Sequence, residues 1–88
     1  MADQSFFQRL TLDQPILRKQ HFGQSGIYVI VNTKKNRFYV GSAINLYKRM
    51  NLHLTHLRQN KHHSVFLQRD FNSQEKDEKY LKFYVLQI

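Results

Sequence analysis

The clearest periodic feature of the chain is Gly26-Ile27-Tyr28-Val29-Ile30-Val31-Asn32, β-branched and aromatic almost throughout. Such a run predicts a strand. Its alternation puts Ile27, Val29 and Val31 on one face and Tyr28, Ile30 and Asn32 on the other. Thr33-Lys34-Lys35-Asn36 is polar and turn-like. Arg37-Phe38-Tyr39-Val40-Gly41 predicts a second strand, and so short a connection makes the pair an antiparallel hairpin.

Residues 42–58 read as a loop and then a helix, with Asn45 as N-cap. Leu46, Met50, Leu54 and Leu57 recur at helical spacing and form a core stripe. Arg49, His53 and His56 stand at i, i+4 and i+7, a second stripe beside the first. Ser64 is placed to cap a short helix through Phe71, with Phe66, Leu67 and Phe71 turned inward. Residues 72–79 read as a solvated, charged loop. Residues 80–86 alternate as a third strand, with Leu81, Phe83 and Val85 on one face. Ahead of these elements, residues 1–24 read as a packing arm. Phe6, Phe7, Leu10 and Leu12 suggest a short amphipathic helix, Pro15 interrupts it, and Ile16-Leu17 form a second apolar patch.

Composition narrows the class. The 88 residues support one domain with a thin core. With no cysteine, neither a disulfide framework nor a Cys-ligated zinc site is available. No apolar run approaches the ~20 residues of a membrane span, and the N-terminus lacks the pattern of a secretory signal. A soluble, intracellular protein is expected.

Charge sharpens this further. Lys and Arg number 14 against 6 Asp and Glu, a formal net charge of +8. No carboxylate occurs from Gln14 to Arg69, a stretch that holds ten of the cations and all five histidines. An acid-free basic block points to a polyanionic partner, although an inert basic surface has the same composition. Lys34, Lys35, Arg37, Lys48, Arg58, Lys61 and Arg69 are the candidate nucleic-acid contacts.

Arg49 is the leading candidate for chemistry: its guanidinium matches a phosphate and stays charged at any working pH. There it would steady charge on non-bridging oxygens. A solvated helix arginine is the commoner fate of the residue. His53, one turn on, could relay a proton near neutral pH or simply close a core edge. Tyr28 and Tyr39 fall in paired strands, where two phenols can share a face; half-polar core residues would look the same. Gly26 and Gly41 mark either strand ends or positions where another group approaches closely. His53, His56, His62 and His63 allow a His-only zinc site, an unusual arrangement with no acid or cysteine to complete it.

The ordered set Ser25-Gly26-Ile27-Tyr28, Asn32, Tyr39-Val40-Gly41-Ser42, Lys48-Arg49, His53 and His62 resembles the GIY-YIG endonuclease superfamily. The likeness is nearest to the catalytic domains of phage and organellar intron-encoded homing endonucleases. It covers about residues 24–88, with 25–88 as the nuclease-like domain, including Leu67-Gln68-Arg69 and Phe71-Asn72. Tyr-Val-Gly stands where the second signature usually reads Tyr-Ile-Gly. The resemblance implies an α/β fold of the α+β type, a small three-stranded antiparallel sheet flanked by helices. It implies hydrolysis of a phosphodiester in double-stranded DNA with Mg²⁺ or another divalent cation. Tyr28 would be the general base or would position the attacking water, and Tyr39 would hydrogen-bond near the scissile phosphate. Arg49 would steady the transition state, His53 would assist Tyr28, and His62 would support the site. A tyrosine with a pKa of about 10 acts as a base only among cationic or metal neighbours, which the Arg/His stripe supplies.

One departure matters. Family members hold the metal through a glutamate on a helix after the third strand, and here the chain reaches Ile88 at that point. Asp70, Glu75, Asp77 and Glu78 precede the third strand. No metal ligand is therefore assigned, and the family glutamate is expected beyond Ile88, in a chain either shortened or lacking the ligand. Weak or absent cleavage by these 88 residues alone is expected, as are a monomer and a separate DNA-recognition region in the full-length parent. A phage or organellar origin would follow from the resemblance. The rival reading is a non-catalytic nucleic-acid-binding module of the same fold. A third is a protein-contact fragment acting through Phe6-Phe7.

Overall fold

The computed structural model describes residues 14–88. In chain order these form α1 (Arg18–His21), β1 (Gly26–Asn32), β2 (Arg37–Ala43), α2 (Leu46–Arg58), α3 (Val65–Ser73), a 3-10 turn (Glu78–Tyr80) and β3 (Leu81–Gln87). The strands make one antiparallel sheet in the order β2-β1-β3. The central position of β1 explains its nearly continuous apolar run, since Val29 is as fully buried as Ile30 although the two point to opposite faces.

Register decides what shares the helix-facing side. Tyr28, Ile30 and Asn32 stand opposite Gly41, Tyr39 and Arg37 of β2, and opposite Val85, Phe83 and Leu81 of β3. Tyr28 and Tyr39 therefore do share a face. β2 runs two residues past Gly41, because Gly26 and Ile27 pair with Ala43 and Ser42.

The two main helices cover this face. Asn45 caps α2 by accepting from the Lys48 N–H at 3.0 Å, and Leu46 and Leu57 are fully buried while Met50 and Leu54 pack at the edge of the core. Ser64 caps α3 by accepting from the Leu67 N–H at 3.2 Å. Leu67 and Phe71 are buried beneath it. Truncating a fully buried ring such as Phe71 costs on the order of 3–5 kcal/mol.

Phe66 corrects the sequence expectation. It is 62% exposed, because the buried side of α3 centres on Leu67 and Phe71, and Phe66 lies well round the helix from both. The charged loop is also shorter than expected: α3 continues to Ser73, and Gln74 is buried.

A buried amide pair ties the hairpin turn to the end of α3. Asn32 Nδ2 donates to Gln74 Oε1 at 2.9 Å. Asn32 Oδ1 accepts from the N–H groups of Lys34 and Lys35. Asn36 completes the turn at φ 55°, a left-handed conformation that Asn tolerates.

Of the arm, residues 14–16 lie along β3. The Ile16 N–H donates to Phe83 O at 3.0 Å, the Val85 N–H donates to Gln14 O at 2.8 Å, and Ile16 enters the core. Pro15 bridges to Tyr84 at this sheet edge, where its missing N–H is tolerated. The expected helix over Phe6, Phe7, Leu10 and Leu12 lies outside the described residues. Among the described residues no helix is long and apolar enough to cross a membrane.

Candidate functional site

Between β2, α2 and the start of α3 lies a cleft of about 760 Å³ that brings together Tyr28, Tyr39, Arg49, His53 and His62. The five residues come from three elements and one loop, so the topology alone makes them neighbours.

Tyr28 is buried, and its ring passes directly over Gly41. A methyl group on Gly41 would sit 2.5 Å from Tyr28 Oη. Gly41 is thus a close-approach residue, not just a strand end. Gly26 has a similar reason: its Cβ would meet the Gln87 carbonyl oxygen at 2.4 Å.

A single line of hydrogen bonds runs back from Tyr28. Its Oη lies 2.6 Å from His53 Nε2. His53 Nδ1 lies 2.7 Å from His62 Nε2. The Ser64 N–H donates to His62 Nδ1 at 3.0 Å. A backbone N–H cannot reverse its role, so the direction of the whole line follows from it. Neutral His62 must carry its proton on Nε2 and donate to His53 Nδ1. Neutral His53 must then carry its own on Nε2 and donate to Tyr28. Tyr28 Oη is the acceptor at the end of the line, and its own O–H is left for the cleft.

The electrostatics keep both rings neutral. Burial, with the charges of His62, His63 and Arg49 adding to it, lowers His53 to about 4. Burial and the neighbouring His63 and His56 lower His62 to about 4. Burial raises the Tyr28 phenol above its ordinary range, and the Arg49 guanidinium pulls in the opposite direction.

Tyr39 behaves differently. Its hydroxyl donates to Asp70 Oδ2 at 3.0 Å, and the same oxygen pairs with Arg37 Nη1 at 3.3 Å. Burial and the Asp70 hydrogen bond push Tyr39 up to about 12. Its hydroxyl donates to a carboxylate, where the sequence reading expects it to hydrogen-bond near the scissile phosphate. Two phenols on one face thus have different hydrogen-bond partners. Asp70 was missed in the sequence because it looks like a surface acid on a short helix. Its partners, 31 and 33 residues upstream, carry no local signal.

The basic residues divide. Arg37 is paired to Asp70, and Arg58 is held by Glu78 in a two-pronged ion pair. Lys48 joins Arg49 along a smaller cavity of about 200 Å³, and Lys61 is exposed just before His62. Lys34 lies over the Tyr80 ring at 5.0 Å, at the hairpin turn with Lys35. Arg69 lies over Phe66.

A metal does not fit the described residues on their own. No group of three or more His, Cys, Asp or Glu among them is placed to hold one, and no carboxylate lines the cleft. Hard divalent cations require carboxylate oxygens, and Asp70, the nearest candidate, is committed to Tyr39 and Arg37. The His-only zinc reading fails as well, because both ring nitrogens of His53 and of His62 are taken.

Comparison with known proteins defines the class. The family model of the GIY-YIG catalytic domain matches residues 24–86, and the chain belongs to that family. Intron-associated endonuclease 1 of Enterobacteria phage T4 is 49% identical over 49 residues, which is 56% of this chain and 20% of that protein. The solved catalytic domain of homing endonuclease I-TevI superposes with a TM-score of 0.63 at 40% identity, covering 72% of this chain and 65% of that one. A mutant form of the same domain gives 0.64 at 42% identity, covering 73% and 64%. The chain thus spans just under two thirds of the solved domains and a fifth of the phage protein. The resemblance and the three-stranded antiparallel fold read from the sequence are both borne out.

Proposed function

We propose that this domain supplies the catalytic cleft of a homing-type DNA endonuclease, in which a water attacks the phosphorus of a duplex phosphodiester and the P–O bond to the leaving strand breaks. The observation that carries this reading is the acceptor position of Tyr28 at the end of a neutral histidine line, in a cleft that also presents Arg49. Arg49 would hold a non-bridging phosphate oxygen through its fixed N–H fork and oppose the charge that grows there. Tyr28 would orient the attacking water and take its proton when ionised. Burial raises the Tyr28 phenol, the Arg49 guanidinium opposes that rise, and the His53 Nε2–H would donate to the phenolate once formed. His62, locked by Ser64, would keep His53 in the donating tautomer. Tyr39 would serve as a wall anchored to Asp70. Lys48 and Lys61 beside the cleft, with Lys34 and Lys35 at the hairpin turn, would add sequence-independent, salt-sensitive affinity. A divalent cation, Mg²⁺ in the first instance, would draw its carboxylate from outside the described residues. The protein would act as a monomer carrying a separate DNA-recognition region, and a phage origin agrees with the phage relative.

The test is plasmid nicking by the protein that carries this domain, with a divalent cation present. Arg49→Ala should slow nicking by about 10²–10³-fold without lowering thermal stability, because Arg49 is exposed. Undiminished nicking would remove Arg49 from the mechanism. The carboxylate-free cleft favours one second reading, a nucleic-acid-binding module without cleavage. Tight, salt-dependent DNA binding with no nicking under any divalent cation would establish it.

A further inference from the structure

The start of α3 carries an exposed apolar pair that the fold does not use. Val65 and Phe66 are 63% and 62% exposed. They stand directly after Ser64, whose N–H sets the histidine line. The Arg69 guanidinium carbon lies 5.6 Å from the centre of the Phe66 ring, within cation–π range. Phe66 and Asp70 are four residues apart and so share a side of α3. Asp70 in turn holds Tyr39, a wall of the cleft. Beside Phe66 on the helix surface, Val65 and Arg69 line a second cavity of about 550 Å³, and His62 borders both cavities. The Val65 and Arg69 end of the patch therefore adjoins the cleft through His62.

We propose that Phe66 and Arg69 form a stacking platform for an unpaired nucleobase adjoining the phosphate held at Arg49. This rests on the reading of the cleft as a nucleic-acid site and adds to it a contact with a base. A phenyl ring and a planar guanidinium are the two protein surfaces on which a base stacks without regard to sequence. Charge favours this occupant over a second copy of the chain. Two copies joined through the patch would bring Arg69 against Arg69, and like charges across an interface oppose association. The sole acid of α3, Asp70, is buried and already paired with Arg37, so nothing on the helix repels a phosphate backbone. A base reaches the platform only when it is unstacked from its neighbours. The platform would thus favour a frayed or single-stranded segment next to the cut.

The test is fluorescence-anisotropy binding of single-stranded oligonucleotides containing 2-aminopurine by the chain as it stands, over a range of salt. Phe66→Ala should weaken binding about 10-fold, the order of one lost base–aromatic stack, and abolish the rise in 2-aminopurine fluorescence that unstacking from neighbouring bases gives on binding. The dependence on salt should stay unchanged, because no phosphate contact is removed. Phe66→Trp should retain the affinity. Since Phe66 is exposed, both variants should melt with the wild type. If the wild type binds no DNA, the reading of the cleft fails and the platform with it. If the wild type binds and Phe66→Ala binds equally well, the platform alone is overturned. It is also overturned if sedimentation shows a wild-type dimer that Phe66→Ala dissociates without change in DNA affinity.

Discussion

Tyr28 Oη and His53 Nε2 meet at 2.6 Å, and the direction of that bond is decided two groups away, where the Ser64 N–H meets His62. The phenol thereby becomes an acceptor. Tyr28→Phe should keep the ring over Gly41 but leave a buried His53 N–H without a partner. An unsatisfied buried donor costs roughly 1–3 kcal/mol, visible as a lowered denaturation midpoint. Nicking by the protein carrying the domain should fall by about 10² or more. Retained nicking would show that the hydroxyl does not take part.

Gly41 answers to the same ring. Gly41→Ala places a methyl group 2.5 Å from Tyr28 Oη, and the ring must move. Nicking should fall as it does in Tyr28→Phe, although no reacting group has been removed. The His53 ring resonances should shift in the ¹H–¹⁵N spectrum. Unchanged resonances would mean that Tyr28 is not held where the structure places it.

Stability should respond to acid through the two buried histidines. Both are lowered from 6.5 to about 4, so between those values the unfolded chain binds protons that the native chain refuses. Stability is then fully present above pH 6.5 and falls as pH drops toward 4. The two tyrosines act at the other end, since both are raised above 10. The unfolded chain loses those protons first, so stability falls again as pH rises past 10. Urea midpoints against pH should show a plateau between these limits. A decline that starts only below pH 4 would contradict neutral His53 and His62.

Asn32 and Gln74 offer a test remote from the cleft. Asn32→Ala strands Gln74 Oε1 and two turn N–H groups. A loss of about 1–3 kcal/mol is expected, with faster amide exchange at Lys34 and Lys35. Unaltered exchange there would mean that the side chain does not organise the turn.

Much of this fold was legible because β1 and β2 are local: the run from Gly26 to Ala43 contains both strands and the turn between them. The α2 stripe of Leu46 and Leu57 was legible for the same reason. Phe66 was misread because apolarity was taken for burial on a helix of nine residues, where the bury-or-expose choice is set by contacts across the fold. Asp70 and Gln74 lie inward only because Tyr39, Arg37 and Asn32 come from far upstream to satisfy them. Arg58 looked like a free cation until Glu78, 20 residues on, was found beside it. Tyr28, Arg49 and His53 could be nominated from strand pairing and helix spacing. His62 lies in a loop with no periodicity, and only the family resemblance gave it a place beside Tyr28 and His53.

The central claim is that Ser64 sets a one-way line through neutral His62 and His53 to Tyr28. Long-range ¹H–¹⁵N correlation of the histidine side chains reads tautomer and charge directly. At pH 7 the line requires both His53 and His62 as neutral rings with the proton on Nε2, and it requires them to stay neutral down to about pH 5. An Nδ1–H tautomer of His53, or an imidazolium at either position at pH 7, would contradict it.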